Sequence, residues 1–147
     1  MSDPDVSLEP ATPTDLDRVE RLLAANDLPT ADVRADAPRF YVARADDAPV
    51  GVGGLELHGD AGLLRSVVVT DSHRGRGYGT AIRAELEAVA GHADVETLYL
   101  LTTTAAGFFR EHGYAVVDRT AVPERLRSSR QFADLCPDSA TCMRKSL

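Results

Sequence analysis

Lysine is almost missing from this chain. Lys145 is the only one, and every other basic side chain is arginine. Positive charge is also outnumbered: 16 Lys and Arg face 23 Asp and Glu, for a net charge of −7. That balance argues against nucleic acid or an anionic membrane surface as the main partner. Cysteine is scarce, with only Cys136 and Cys142, too few for a disulfide framework. No apolar run approaches the length of a transmembrane helix. Met1-Ser2-Asp3-Pro4-Asp5 has neither a basic n-region nor an apolar h-region, so no secretory signal is visible and a cytoplasmic location is expected. Repeats, linkers and low-complexity segments are absent as well, which leaves residues 1–147 as one domain.

What is present suits a globular fold. Hydrophobic residues make up 44% of the 147, enough for a proper core. Aspartate outnumbers glutamate. An Asp-rich, Lys-poor surface is what proteins adapted to concentrated salt carry, and high-GC codon bias produces the same composition.

The order of elements is read from periodicity and punctuation. Val6 to Pro10 is a short strand. A helix starts near Thr14, a candidate N-cap, and carries Leu16, Val19, Leu22 and Leu23 at helical spacing as far as Asn26. Residues 29–38 read as a loop or frayed helix bordering a cleft. Phe40 to Ala43, Val50 to His58 and Leu63 to Val69 form an antiparallel meander. Gly51, Gly53 and Gly54 within its middle strand suggest a bulge or a close backbone approach. Then come a helix over 77–91, a strand over 96–101, a short helix over 104–112 capped at Thr104 and stopped by Gly113, a strand over 114–117, a helix after Pro123 and a last strand over 140–144. Strands first and βαβα afterwards predict a mixed α/β sheet with helices on both faces.

The chemistry lies in the turn Arg74-Gly75-Arg76-Gly77-Tyr78-Gly79, between a strand and a helix. Glycines there leave backbone N–H groups accessible, and the helix start adds partial positive charge, so the turn suits an anion such as a diphosphate. A Walker loop requires a lysine after the last glycine, and Thr80 stands there. A dinucleotide fingerprint requires a third glycine at that same position. Arg74-x-x-Gly77-x-Gly79 instead resembles the signature of the GNAT N-acetyltransferases, and Ala105 to Tyr114, AAGFFREHGY, resembles the second signature of that family. Leu64-Arg65-Ser66-Val67, Tyr99 to Thr104, Arg130-Gln131-Phe132 and Leu135-Cys136-Pro137-x-Ser139-Ala140-x-Cys142-Met143 look like its arsenic-resistance-associated branch.

The resemblance implies a sheet of six or seven strands with a splay between two central parallel strands. It implies acetyl-CoA as co-substrate, no metal, and acetyl transfer to the primary amine of a small, amino-acid-like molecule. Arg74, Gly75, Arg76, Gly77, Tyr78, Gly79 and Thr80 would hold the diphosphate. Val67, Val68 and Val69 would meet the pantetheine arm, with the backbone N–H near Val68 polarising the acetyl carbonyl. Phe109 falls where relatives place a tyrosine that protonates the leaving thiolate, and Arg65 where many place a glutamate. Glu56 is then the candidate base, acting directly or through water, with His58 on its face. Arg65 reads either as a clamp for a substrate carboxylate or as a strand arginine paired with a surface acid. Ser66, Thr102 and Thr103 are candidate substrate contacts. Cys136 and Cys142 suit a metalloid chemically, although buried, unreactive cysteines are commoner. The partners expected are a small-molecule amine and, at most, a second copy of the chain. The alternative is a catalytically weak module that binds acetyl-CoA or senses a metalloid.

Overall fold

The computed structural model describes residues 5–28, 30–35, 38–127 and 140–147. Seven strands form one sheet: β1 (Ser7–Pro10), β2 (Arg39–Ala45), β3 (Ala48–His58), β4 (Ala61–Val69), β5 (Thr97–Thr102), β6 (Ala115–Val116) and β7 (Thr141–Ser146), in the order β1-β2-β3-β4-β5-β7-β6. Among the described residues four helices accompany them: α1 (Pro13–Ala25), α2 (Tyr78–His92), α3 (Ala106–Glu111) and α4 (Glu124–Arg127). Strands β1 to β4 pair antiparallel in chain order, β4 and β5 pair parallel, and β7 inserts antiparallel between β5 and β6. The meander and the mixed sheet expected from the sequence are both present.

Alternation along the strands assigns the helices to faces. On β5, Leu98 and Leu100 join a core cluster with Ile82, Leu86 and Ala90 of α2 and Phe109 of α3. Tyr99, between them, joins Leu63, Cys142, Val122 and Leu126 on the side of α4. Val52 and Val68 meet Val19 and Leu23 of α1. The glycines of β3 let α2 lie close to the sheet. A Cβ at Gly51 would fall 2.8 Å from Ile82 Cδ1, and one at Gly53 2.6 Å from Leu86 Cδ1.

Two caps differ from expectation. Helix α1 is capped at Thr12, not Thr14: Thr12 Oγ1 accepts from the Asp15 N–H at 3.2 Å, and Asp15 Oδ2 accepts from the Thr12 N–H at 3.0 Å. This reciprocal box places Pro13 at the first helical position, where its missing N–H costs nothing. At the start of α3 the cap position is Ala105, not Thr104. The Ala105 N–H is satisfied by Thr102 Oγ1 at 3.0 Å, so a threonine serves from the strand end.

Candidate active site

Strands β4 and β5 pair only at Ala61–Thr97, Gly62–Leu98 and Leu63–Tyr99. Beyond that point they separate, and a cavity of about 820 Å³ opens between them. Leu64 to Val69 line one wall, Leu100 to Thr102 the other. Asn26, Asp27 and Leu28 at the end of α1, Thr103 to Ala105, Phe108, Phe109, Arg74 and Ala140 complete the lining. Thus Arg65, Ser66, Val67, Val68, Val69, Arg74, Thr102, Thr103 and Phe109 all line this one space. Glu56 is not part of the wall.

The β4 wall is interrupted. Val52 pairs with Val68 and Gly54 with Arg65, so Gly53 faces both Ser66 and Val67. One extra residue in β4 is a bulge, which locally disrupts the ladder and re-aims the strand. Ser66 has φ +61°, the left-handed region that a residue with a Cβ rarely adopts.

At the end of β4 the chain makes one short 3₁₀ turn, Asp71–His73, then enters the glycine segment. Gly75 and Gly77 have φ of +76° and +85°, conformations that explain glycine at both places. The first bond of α2 runs from the Ala81 N–H to the Gly77 carbonyl at 3.1 Å. The N–H groups of Tyr78, Gly79 and Thr80 therefore have no acceptor within the helix, an arrangement that suits an anion. Gly75 to Thr80 lie past the cavity lining, at its Arg74 end. Arg74, although exposed, bonds the protein's own groups: Nη2 donates to Asn26 Oδ1 at 2.6 Å and lies 3.2 Å from Asp71 Oδ1, while Nε donates to the Val69 carbonyl at 3.3 Å. It fastens the end of α1 to the turn. The Thr80 hydroxyl lies 3.4 Å from His112 Nε2, whose ring donates through Nδ1 to the Phe108 carbonyl at 2.8 Å.

Arg65 belongs to a buried charge cluster. Its side chain has no exposed surface, and those of Asp32 and Glu56 are 3% and 2% exposed. Nη1 and Nη2 fork onto Asp32 at 2.5 and 2.8 Å, Nη1 also donates to Glu56 Oε2 at 3.2 Å, and Nε donates to Ser66 Oγ at 3.2 Å. The guanidinium lies 5.3 Å from the centroid of the Phe40 ring. The partners are buried acids, where the sequence suggested either a substrate or a surface acid. Glu56 Oε1 lies 3.4 Å from His58 Nε2, so these two do share a face.

Tyrosine is absent from the described cavity wall. Tyr114 donates to Glu87 Oε2 at 3.0 Å, and burial raises its pKa well above the ordinary phenol value. Phe109 is buried in the core cluster, its ring 5.4 Å from that of Tyr114. Cys142 is buried beside Leu63 and Tyr99, and burial raises its thiol pKa too. Cys136 and the neighbouring motif residues 130–139 lie outside the described residues. Among the described residues no group of three His, Cys, Asp or Glu is placed to hold a metal. Sequence reasoning missed Asn26 to Leu28, Asp32 and Phe108. Only the reading of 29–38 as a cleft border pointed toward that side.

The parallel pair splays beside a glycine turn and a helix N-terminus, which leaves a cleft for an extended ligand with an anionic end. The profile of the acetyltransferase (GNAT) domain matches residues 36–116, and the chain belongs to the GNAT acetyltransferase family. A search of curated proteins returns no match. Solved structures agree on the fold. A Mycobacterium tuberculosis protein, Rv2747, in complex with CoA is 25% identical, with 98% of this chain and 99% of that chain covered and a TM-score of 0.78. The N-acetylglutamate synthase of Neisseria gonorrhoeae, complexed with coenzyme A and L-arginine, is 18% identical at TM-score 0.78, covering 99% of this chain and 34% of that one. This chain thus spans about a third of the synthase. An Elizabethkingia anophelis GNAT family acetyltransferase with acetyl-CoA bound is 14% identical at TM-score 0.68, with 97% and 98% covered.

Proposed function

We propose that this chain is an acetyl-CoA-dependent N-acetyltransferase that moves the acetyl group directly to the primary amine of a small, amino-acid-like molecule. The observation that carries this reading is the cavity between the splayed ends of β4 and β5, which runs toward the glycine turn. The turn amides and the start of α2 would take the diphosphate. Val67 to Val69 would take the pantetheine arm, and the amide near Val68 would stabilise negative charge developing on the acetyl oxygen. Acetyl-CoA supplies the activated thioester, so the protein needs no nucleophile of its own. It needs to align the amine and manage its proton. Ser66 Oγ and Thr102 Oγ1 each accept one internal bond, leaving their O–H groups able to donate to a substrate. Glu56 sits one hydrogen bond behind the cavity wall, on Arg65, so to act as a base it would need a water admitted to its buried carboxylate.

Within the family, the motifs quoted above support the arsenic-resistance-associated branch. The substrate class rests on that resemblance and on the N-acetyl-glutamate bound with coenzyme A in a structure of the gonococcal neighbour. The acidic composition supports a protein that does not act on nucleic acid.

Phe109 favours a second reading, a module that holds acetyl-CoA with little turnover. One assay separates the two. Acetyl-CoA binding is measured by calorimetry, and free CoA release is followed with a panel of amino acids and their analogues. Binding with release by at least one amine supports the transferase, whereas binding without release by any amine selects the module. Gly77→Val puts a branched side chain at φ +85° beside the turn amides, and acetyl-CoA affinity is expected to fall at least tenfold. Unchanged affinity would overturn the cofactor assignment.

A further inference from the structure

A single arginine ties together four segments around the cavity. Arg65 of β4 is bonded to Asp32 in the turn after α1, to Glu56 of β3 and to Ser66 at the bulge, and its guanidinium faces Phe40 of β2. Two features of this cluster call for a reason other than stability. Buried ion groups are often replaceable by apolar residues without loss of stability, so their presence alone does not explain itself. And Ser66, the residue its Nε holds, is a serine at φ +61°, a conformation that persists only where the surroundings impose it.

We propose that Arg65 is a positioning residue: pinned by the buried carboxylates of Asp32 and Glu56, it holds Ser66 in the left-handed conformation that makes the β4 bulge and thereby aims the following amides, Val67 to Val68, at the reacting carbonyl. This rests on the acetyl-CoA reading above. The bulge spans Ser66 and Val67 opposite Gly53, so the direction of the next peptide groups depends on φ at Ser66. Arg65 is the residue immediately before the bulge, and its Nε bonds the Ser66 hydroxyl at 3.2 Å. Its own freedom is removed at the other end by the fork on Asp32 and the bond to Glu56. Lysine, with one compact ammonium, could not hold both ends at once. Arg65 touches neither acetyl-CoA nor amine in this role, and acts through Ser66.

The test reads the carbonyl itself, without needing the acceptor. The full chain is loaded with acetyl-CoA labelled with ¹³C at the thioester carbonyl, and the carbonyl resonance is compared bound and free, with affinity measured by calorimetry. In the wild-type protein, binding moves the resonance downfield, the signature of a hydrogen bond to the oxygen. Arg65→Lys loses at least half of that displacement while acetyl-CoA affinity stays within threefold. Placing Ser66→Gly in the Arg65→Lys background recovers most of it, because glycine adopts positive φ without being held. Ser66→Ala, which leaves Arg65 and both acids in place, also loses at least half, and it serves where Arg65→Lys fails to fold. A wild-type displacement retained in Arg65→Lys or in Ser66→Ala overturns the proposal, as does a double variant no better than Arg65→Lys. Absence of acetyl-CoA binding by the wild-type protein overturns the cofactor reading and this proposal with it. Binding with an undisplaced wild-type carbonyl overturns the proposal alone.

Discussion

Two charge clusters stand on opposite faces of this sheet with inverted composition. At the cavity wall, one cation, Arg65, is shared by two acids, Asp32 and Glu56. On the α2 side, one acid, Glu87, is shared by two cations: Arg83 Nη1 donates to Oε2 at 2.6 Å and Lys145 Nζ to Oε1 at 2.8 Å. Tyr114 adds a third bond to Glu87. The first cluster is sealed, while the Glu87 and Lys145 side chains are 13% and 24% exposed. The difference teaches how much each charge depends on its partners. A sealed charge has no water to fall back on, so its partners are obligatory. A rim charge keeps water as an alternative, so its partners add little. The sealed cluster also borders the cavity, whereas none of the Glu87 group lines it.

The largest expected effect follows from the first cluster. Arg65→Met leaves two carboxylates buried without a cation. Stability should fall by about 3–5 kcal/mol, a drop in Tm of roughly 10 °C for a domain of this size. Urea melts of the two proteins check this. A loss below about 1 kcal/mol would mean that the cluster is wetter than its burial shows. Glu87→Gln is the matched change on the other face. It keeps the shape and one acceptor but removes the charge, and should lower stability by only about 1 kcal/mol, with acetyl-CoA affinity unchanged by calorimetry. Equal losses in the two variants would break the comparison.

Acid sharpens it. Burial works against ionising Glu87, but the hydrogen bonds from Lys145 and Arg83 outweigh that and hold its carboxyl below the ordinary 4.5. A group whose pKa is lower when folded stabilises the protein above its unfolded value, and that contribution is lost as pH falls through the folded one. The stability gap between wild type and Glu87→Gln should therefore stay constant from neutral pH to about the ordinary glutamate value, then close below it. Thermal melts at intervals from pH 7 to pH 3 would show it. A gap that stays open at pH 3 would refute the assignment of the charge as its source.

What the sequence disclosed about these regions divides along chain distance. The glycine turn was legible because its signals are local: three glycines, a strand before and a helix after, within about twenty residues. The splay followed from the family resemblance. The Arg65 cluster was not legible, because Asp32 lies 33 positions from Arg65, and nothing local makes either a partner of the other. The bulge was half visible. Glycines flagged β3, but the extra residue sits in β4 at Ser66, and serine carries no signal for positive φ. The α1 cap failed for a different reason. Thr12-x-x-Asp15 and Thr14-x-x-Asp17 both read as boxes, and Pro13 decides between them by fitting only the first helical turn.

The smallest expected effect concerns the only lysine. Lys145 Nζ lies 2.8 Å from Glu87 and 5.7 Å from the centroid of the Tyr114 ring. Both contacts are part-buried at the rim, where a partly screened ion pair and a cation–π contact to a half-wet ammonium are each worth about 0.5 kcal/mol. They also share one ammonium, so they do not add in full. Lys145→Met keeps most of the apolar stem that covers the ring. It should cost about 0.5 kcal/mol, and less in 1 M salt, since the pair is open to screening. Urea melts at low and high salt read both quantities. A loss above about 2 kcal/mol, or one indifferent to salt, would place Lys145 in the same sealed regime as Arg65 and erase the contrast between the two faces.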